Sequence, residues 1–243
     1  MPFPEPSSIQ NQAADLNELF QGRDTLEVIR YAVSHLGRSA VVSSFGADSV
    51  ALLHLVAQIN RATPVLFIDT EMLFEETLEY QRNVAAHLNL SDVLVFRAGN
   101  LLRRDPATQL HKSDPDACCK LRKSEPLQTA LAPYQAWISG RKRHQSNTRA
   151  VLPLFEADSA TGHIKVNPMA NWTAAKVNDY INDNNLPRHP LVERGFPSIG
   201  CAPCTSQVQP GEDARAGRWR NTEKTECGIH FDKGVATRPG ATP

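Results

Sequence analysis

The sequence has no surplus of charge of either sign and no long apolar stretch. Its 26 lysine and arginine residues balance 26 aspartate and glutamate residues, so no net field draws it toward nucleic acid or an anionic membrane. No segment approaches the roughly 20 apolar residues that cross a bilayer. Residues 1–12 lack the positive start and apolar stretch of a secretory signal. We therefore expect a cytoplasmic protein without nucleic-acid or membrane partners, and a homo-oligomer is compatible with this composition.

Cysteine is also scarce, and the five cysteines are unevenly placed. Four form two pairs, Cys118-Cys119 and Cys201-x-x-Cys204, and the fifth, Cys227, is isolated. In a reducing compartment such thiols favour metal binding over structural disulfides, although free cysteines also pack as small apolar residues. Four thiolates suit a tetrahedral zinc ion or an iron–sulfur cluster, and spacing alone does not choose between them. The isolated Cys227 is a candidate nucleophile.

Short apolar runs alternate with helical patterns along most of the chain. The predicted strands are 40–44, 64–69, 93–96 and 136–139, and the predicted helices are 24–35, 50–59, 74–88 and 173–185. This alternation predicts an α/β fold, a parallel-rich twisted sheet with helices on both faces.

The chain length favours one domain with appendages. We expect a flexible, proline-containing N-terminal segment over 1–22 and one α/β domain over 23–220. After Pro187 the domain becomes irregular and carries Cys201 and Cys204, so a metal site would help to order it. A mobile polar tail is expected over 221–243.

A short loop follows the first predicted strand and precedes a helix. Its sequence is Ser44-Phe-Gly46-Ala-Asp48-Ser49. Backbone N–H groups and the helix dipole favour an anion at such a junction, although a serine-rich turn would look the same. The hexapeptide resembles the S-G-G-x-D-S phosphate loop of the PP-loop (adenine nucleotide alpha-hydrolase-like) superfamily, with Phe45 in place of the first glycine. The resemblance implies that Ser44, Gly46, Asp48 and Ser49 bind nucleotide phosphate.

A second pattern follows the next predicted strand. The stretch Asp69-Thr70-Glu71 and its continuation resemble the D-T-G-x-L-x-x-E-T stretch of the sulfonucleotide reductases within that superfamily. Glu71 replaces the usual glycine. The resemblance implies that Asp69 and Thr70 face the nucleotide at the carboxyl ends of the strands, where open α/β sheets bind ligands.

The order C-C followed by C-x-x-C resembles the cluster signature of adenylyl-sulfate reductases. The resemblance implies that Cys118, Cys119, Cys201 and Cys204 hold a [4Fe–4S] cluster that does not itself pass electrons to substrate. Lys123 matches a lysine that in this family lies between the cluster and the anionic group of the substrate. An i,i+4 relation to Cys119 on a helix would allow that position.

The C-terminal region carries the remaining candidates. Glu226-Cys227-Gly-Ile-His230 resembles the E-C-G-[LI]-H motif that carries the catalytic cysteine, with His230 near the substrate. Arg215 and Arg218 lie in a stretch that resembles the substrate-contacting R-x-G-R-W. Together with Arg149 they would bind the anionic substrate, because arginine suits bidentate contacts to phosphate and sulfate. The basic residues 141–144 are typical either of a solvated turn or of a nucleic-acid-binding patch, and the balanced charge disfavours the patch.

These resemblances imply a thioredoxin-dependent reductase that converts adenylyl sulfate to sulfite and AMP through a Cys227 S-sulfocysteine, in assimilatory sulfate reduction and cysteine biosynthesis. The first alternative is a reductase of 3′-phosphoadenylyl sulfate or of both nucleotides, although relatives specific for the 3′-phosphorylated form typically lack the four cluster cysteines. Further alternatives are an ATP-dependent PP-loop ligase and a zinc-binding module without catalysis.

Overall fold

The computed structural model describes residues 6–146, 149–158 and 161–220. Its strands are β1 (Ser39–Val42), β2 (Val65–Ile68), β3 (Val93–Phe96), β4 (Ala136–Ser139), β5 (Phe155–Asp158) and β6 (His163–Val166). Its α-helices are α1 (Pro6–Leu19), α2 (Thr25–His35), α3 (Ser49–Ile59), α4 (Glu75–His87), α5 (Leu101–Arg104), α6 (Leu110–Ser113), α7 (Pro115–Cys119), α8 (Glu125–Leu131) and α9 (Ala174–Asp183). A π-helical turn, Lys120–Ser124, joins α7 to α8. In these ranges no helix is long and apolar enough to cross a membrane.

The six strands form one sheet in the order β3-β2-β1-β4-β6-β5. Neighbouring strands are parallel except for the β5–β6 pair, which is antiparallel. The predicted parallel-rich α/β sheet is confirmed, and strands β3 and β4 have the predicted bounds. The β5–β6 hairpin is absent from the sequence prediction. Because β1, β2, β4 and β6 run in the same direction, the loops that follow them meet at one edge of the sheet.

Apolar residues cover both faces of the sheet, as predicted. Alternate residues of a strand point to opposite faces, so Val41 joins the larger core with α2, α3 and α9, whereas Ala40 joins a smaller core with α8. The same alternation places Ile138 in the larger core and Trp137 in the smaller one. Both faces of the sheet are therefore covered by apolar side chains.

The expectation of a flexible segment over 1–22 is wrong, because most of this segment forms α1 and packs on the core. Its buried residues Ile9, Ala13, Leu16 and Phe20 recur at intervals of four, three and four, which places them on one helical face. The Asn17 side chain donates to the Phe155 carbonyl at 2.8 Å and accepts from the Phe155 N–H at 3.0 Å. Helix α1 therefore belongs to the domain and pairs with the outer edge of β5.

The irregular segment after Pro187 is attached to α4 by buried hydrogen bonds. Tyr80 donates its hydroxyl to the Pro187 carbonyl at 2.8 Å. The fully buried His189 accepts from the Leu191 N–H through Nδ1 at 3.2 Å, which leaves Nε2 to donate to the Thr77 hydroxyl at 3.0 Å. Both ring nitrogens are used by a neutral imidazole, and burial lowers the pKa of His189 to about 4.

This histidine predicts a specific acid sensitivity. The unfolded chain takes up a proton on His189 near the ordinary pKa of about 6.5, whereas the folded chain does not until about pH 4. Stability is therefore retained above about pH 6.5, and about 2–3 kcal/mol is lost as the pH falls toward 4. Urea unfolding across this range should show the slope in the wild type. His189→Asn, which keeps an acceptor but does not titrate, should show a shallower slope, and equal slopes would contradict the assignment.

Candidate active site at the carboxyl edge of the sheet

The loop between β1 and α3 adopts a left-handed turn at a non-glycine residue. Phe45 has φ 47° and a fully buried ring, which packs edge-on against Phe67 with 5.3 Å between ring centroids. Its N–H donates to the Ser43 hydroxyl at 3.1 Å. The left-handed region costs a side-chain-bearing residue about 1–2 kcal/mol, an amount comparable with the gain from burying a phenyl ring. Phe45 therefore adopts the left-handed backbone conformation that glycine usually supplies in such a loop.

Glu71, in the turn after β2, is a second non-glycine residue in the left-handed conformation. It occupies the position where the resembling stretch has glycine, and its φ is 56°. The Asp69 carboxylate supports the turn by accepting the Glu71 N–H at 2.9 Å. Asp69 also accepts from Arg97 Nε at 2.9 Å, and its side chain is almost fully buried. Both carboxylate oxygens of Asp69 therefore have protein partners that shape the turn.

Asp48, at the start of α3, forms an ion pair with a buried lysine. Lys142 Nζ lies 3.0 Å from an Asp48 carboxylate oxygen and donates to the Gly140 carbonyl at 3.0 Å. Lys142 is only 1% exposed, and Arg141 beside it is also buried. Burial, opposed by the charge of Asp48, lowers the pKa of Lys142. The expectation of a solvated turn over 141–144 is therefore wrong for Arg141 and Lys142.

The four paired cysteines meet around one cavity. Helix α7 supplies Cys118 and Cys119, and the 3-10 turn Ala202–Cys204 with the residue before it supplies Cys201 and Cys204. Cys118, Cys119 and Cys201 are buried, and Cys204 is partly exposed. Lys123, in the π-helical turn, lines the same cavity and is 8% exposed. The structure therefore brings together the four predicted metal ligands and the predicted lysine.

The loop that carries Cys201 is attached to the turn after β2. The Ala202 N–H donates to the Met72 carbonyl at 2.7 Å, and Leu73 forms a β-bridge with Cys201. The Thr70 hydroxyl lies 3.2 Å from Cys201 Sγ. Thr70 thus contacts the cysteine cavity through its side chain.

A buried arginine lies beside the cysteines. Arg122 lines the cavity and donates to the Thr70 carbonyl at 3.0 Å and to the Asp105 carboxylate at 2.8 Å. Burial alone would raise the pKa of Asp105, but hydrogen bonds from Arg122 and the Leu110 N–H outweigh it and lower the pKa. The charged pair is therefore maintained in the interior.

The Cys118 thiol is a poor proton donor without a bound cation. Burial and then the neighbouring Cys201 raise the pKa of Cys118 to about 11, although Arg122 opposes the shift. A metal requires deprotonated thiols and supplies the missing positive charge. In the described ranges, no three Cys, His, Asp or Glu side chains are grouped so that they could hold a single metal ion. Four thiols around one buried cavity, with a hydroxyl and two cationic side chains nearby, instead suit a larger group in which several metal atoms share the thiolate ligands.

Arg218 lies near the end of the described residues and packs against the loop that carries Cys201 and Cys204. Its guanidinium lies over the Trp219 ring at 4.4 Å and against Gly200, where a Cβ would be only 2.2 Å from Nη2. The Trp219 N–H donates to the Cys204 carbonyl at 3.0 Å. On the other side of this loop, a Cβ on Gly46 would lie 3.5 Å from the Ile199 carbonyl oxygen. The loop between β1 and α3, the loop that carries Cys201 and Cys204, and Arg218 are thus contiguous.

The remaining predicted site residues range from exposed to buried. Ser44, in the loop between β1 and α3, is exposed, and Ser49, the first residue of α3, is half-buried. Arg149 is buried, bonds Gln145, and is close enough to Lys142 to contribute to its lowered pKa. Arg215 is half-buried, 5.7 Å from the Trp219 ring centroid. Cys227 and His230 lie outside the described residues.

Two buried cations at this edge, Arg122 and Lys142, are missing from the sequence prediction. Arg122 directly precedes the selected Lys123, and Lys142 lies in the basic run 141–144, from which the prediction selected no residue. A charged run is usually solvated, so the sequence signal favoured the wrong environment.

Known proteins resemble this chain over most of its length. The model of the phosphoadenosine phosphosulfate reductase domain matches residues 38–207. An adenosine 5'-phosphosulfate reductase of Chelativorans sp. is 46% identical to this chain. The alignment covers 94% of this chain and 94% of the relative. Another from Mesorhizobium japonicum is 49% identical over 90% of this chain and 87% of its own.

Solved structures agree with this likeness. The phosphoadenylyl-sulfate reductase from Candida auris, in a phosphate complex, has a TM-score of 0.72 and 28% identity over 82% of this chain and 97% of its own. Yeast FAD synthetase, at 16% identity and a TM-score of 0.52, shares the fold over 84% of this chain and 77% of its own. The chain belongs to the phosphoadenosine phosphosulfate reductase domain family.

Proposed function

We propose that this chain is an enzyme that reduces adenylyl sulfate to sulfite and AMP in assimilatory sulfate reduction, which supplies cysteine biosynthesis. The observation that carries the proposal is the meeting of four cysteines and Lys123 around one buried cavity, next to a phosphate-loop-like turn. The relatives at 46% and 49% identity named adenosine 5'-phosphosulfate reductase support it.

Cys118, Cys119, Cys201 and Cys204 would hold a [4Fe–4S] cluster. Their chemistry supports this assignment, because four thiolates are the usual ligands of such a cluster. When bound, the cluster supplies a cross-link between α7 and the loop that carries Cys201, beside Lys123, and not electrons for the substrate.

The substrate is a sulfate–phosphate anhydride, whose leaving phosphate gains charge as the S–O bond breaks. Lys123, Arg149, Arg215 and Arg218 are the cations that would stabilise this charge. Preorganised donors in a water-poor site act more strongly than they would in water. The loop residues Ser44, Gly46 and Ser49 would bind the nucleotide phosphate, with Thr70 and His230 lining the same site.

Cys227 is the proposed nucleophile. Its thiolate attacks the sulfate sulfur, the new S–S bond forms, and AMP leaves with the electron pair of the broken S–O bond. The enzyme then carries an S-sulfocysteine. With the other four cysteines committed to the cluster, the chain has no second thiol to resolve this adduct.

An external dithiol protein, thioredoxin by expectation, would complete the cycle. One of its thiolates attacks Cys227 Sγ and sulfite leaves with the bonding pair, which produces a mixed disulfide. Its second thiol then displaces Cys227 as a thiolate. The dithiol is oxidised to a disulfide and sulfate sulfur is reduced to sulfite. Thiol chemistry of this kind suits the reducing cytoplasm.

The test is sulfite release by anaerobically purified protein with thioredoxin, from adenylyl sulfate and from 3′-phosphoadenylyl sulfate in parallel. We expect sulfite from adenylyl sulfate and much less from its 3′-phosphorylated form. We include 3′-phosphoadenylyl sulfate as the alternative substrate because the Candida auris relative is named a phosphoadenylyl-sulfate reductase. Equal rates would indicate a dual-substrate enzyme. No sulfite from either nucleotide, with pyrophosphate release from ATP instead, would replace the proposal with a ligase.

Gly200 allows a test of Arg218 without changing the arginine. A Cβ at residue 200 would lie 2.2 Å from Arg218 Nη2 and 2.5 Å from Cζ, so Gly200→Ala must displace the guanidinium. Because that group is the end of a flexible side chain, we expect nearly unchanged thermal stability. The KM for adenylyl sulfate should rise about 10- to 100-fold, because the substrate loses one charged hydrogen-bond partner.

Gly217→Ala is the contrasting variant. Its Cβ would lie 2.1 Å from the Ser206 carbonyl oxygen, which is backbone and cannot rotate away. We expect this variant to lose about 1–3 kcal/mol of stability through forced backbone displacement. A Gly200→Ala protein with wild-type KM would contradict the role of Arg218 in binding.

A further inference from the structure

The carboxylate of Asp48 does not do what an aspartate at a helix start usually does. Asp48 is the N-cap of α3, yet its side chain accepts no N–H of the first turn. An N-cap aspartate normally accepts such a bond and is stabilised by the helix dipole. Here the carboxylate pairs instead with Lys142 Nζ at 3.0 Å. The Ser49 N–H donates to the Gly46 carbonyl at 3.1 Å and the Ala51 N–H to the Asp48 carbonyl at 3.3 Å, so the N–H that the carboxylate leaves to another acceptor is that of Val50.

Lys142 is well placed to hold the carboxylate. It is 1% exposed, whereas the Asp48 side chain is 41% exposed, so the lysine is the fixed partner. Its ammonium also donates to the Gly140 carbonyl at the end of β4, which anchors it to the sheet. The pair therefore connects the loops that follow β1 and β4.

We propose that Lys142 is a positioning residue that keeps the Asp48 carboxylate out of the anion site at the start of α3. Without this ion pair, the carboxylate would rotate onto the first turn of α3 and compete there with the nucleotide phosphate. The inference rests on the nucleotide site of the proposed function. It differs from the sequence-based expectation for Asp48, because it places the carboxylate beside the phosphate site rather than in contact with phosphate.

The first experiment measures AMP binding by calorimetry to the cluster-loaded protein. Lys142→Met keeps the length and apolar stem of the side chain but removes its charge. We expect the dissociation constant for AMP to rise about 10- to 100-fold, because a charge-assisted contact is lost and a competing carboxylate is gained. Lys142→Arg, which can still pair with Asp48, should stay close to the wild type.

The second experiment separates positioning from direct contact. If the lysine acts through Asp48, adding Asp48→Asn to Lys142→Met removes the competing charge and recovers at least about tenfold in affinity. Asp48→Asn in the wild-type background should have a smaller effect, because the carboxylate there is already paired. If Lys142 instead touches the nucleotide, the double variant binds no better than Lys142→Met, and the proposal is overturned.

Lys165→Met is the matched control for losing a buried lysine. Lys165 is 6% exposed and lies over the Trp137 ring at 4.6 Å, and its ion-pair partner is Glu156. We expect wild-type affinity for AMP, and Lys142→Met within about threefold of that control would overturn the proposal. AMP binding requires no turnover, so failure of sulfite release would refute the reductase while leaving this measurement valid.

Discussion

The Cys227→Ser variant is expected to release no measurable sulfite from adenylyl sulfate. A serine hydroxyl is scarcely ionised at neutral pH and is a much weaker nucleophile than a thiolate. The loss of turnover should be at least about 10⁴-fold, as for other residues that form the covalent intermediate. The measurement is sulfite production with thioredoxin in excess.

The same variant should leave the rest of the site in place. Its iron content, brown colour and affinity for AMP should equal those of the wild type, because the proposed cluster ligands and the phosphate loop are unchanged. In the absence of reductant, wild-type protein mixed with adenylyl sulfate should gain the mass of one SO₃ group, and the variant should not. An adduct on Cys227→Ser would assign the nucleophile to another residue.

Much of the fold could be predicted because its signals are local. Strands β3 and β4 are short apolar runs with polar or turn-forming flanks, and their predicted bounds match the structure. The phosphate-like loop lies between a strand and a helix, so its place at the sheet edge followed from the alternation alone. The cysteine pairs, far apart in sequence, were brought together by a chemical argument about ligand sets.

The missed features depend on long-range contacts. The apolar spacing of α1 is visible in the sequence, but the prolines and polar residues of segment 1–22 suggested disorder. The surface that the helix covers is formed by the distant strands β5 and β6. Lys142 resembles any solvated lysine until Asp48 lies against it. Local sequence does not report which distant partner will bury a charge, since burial of a charge becomes favourable only with that partner.

The Cys201→Ser variant is expected to lose most of its iron and the brown colour. Serine keeps the size of the side chain and can retain the contact with the Thr70 hydroxyl, so the change removes a soft thiolate ligand and little else. Because metal binding is coupled to folding, the loop that holds residues 199–206 should become sensitive to protease, and the unfolding free energy should fall by several kcal/mol, about 3 or more.

The matched control for Cys201→Ser is Cys227→Ser, because each variant replaces one cysteine. Iron and zinc content should be measured in both. We expect about four irons per chain in Cys227→Ser and far fewer in Cys201→Ser, in keeping with a cluster that needs four thiolates. Colourless wild-type protein with about one zinc would instead support the zinc-binding module. Full iron in Cys201→Ser would remove this residue from the ligand set.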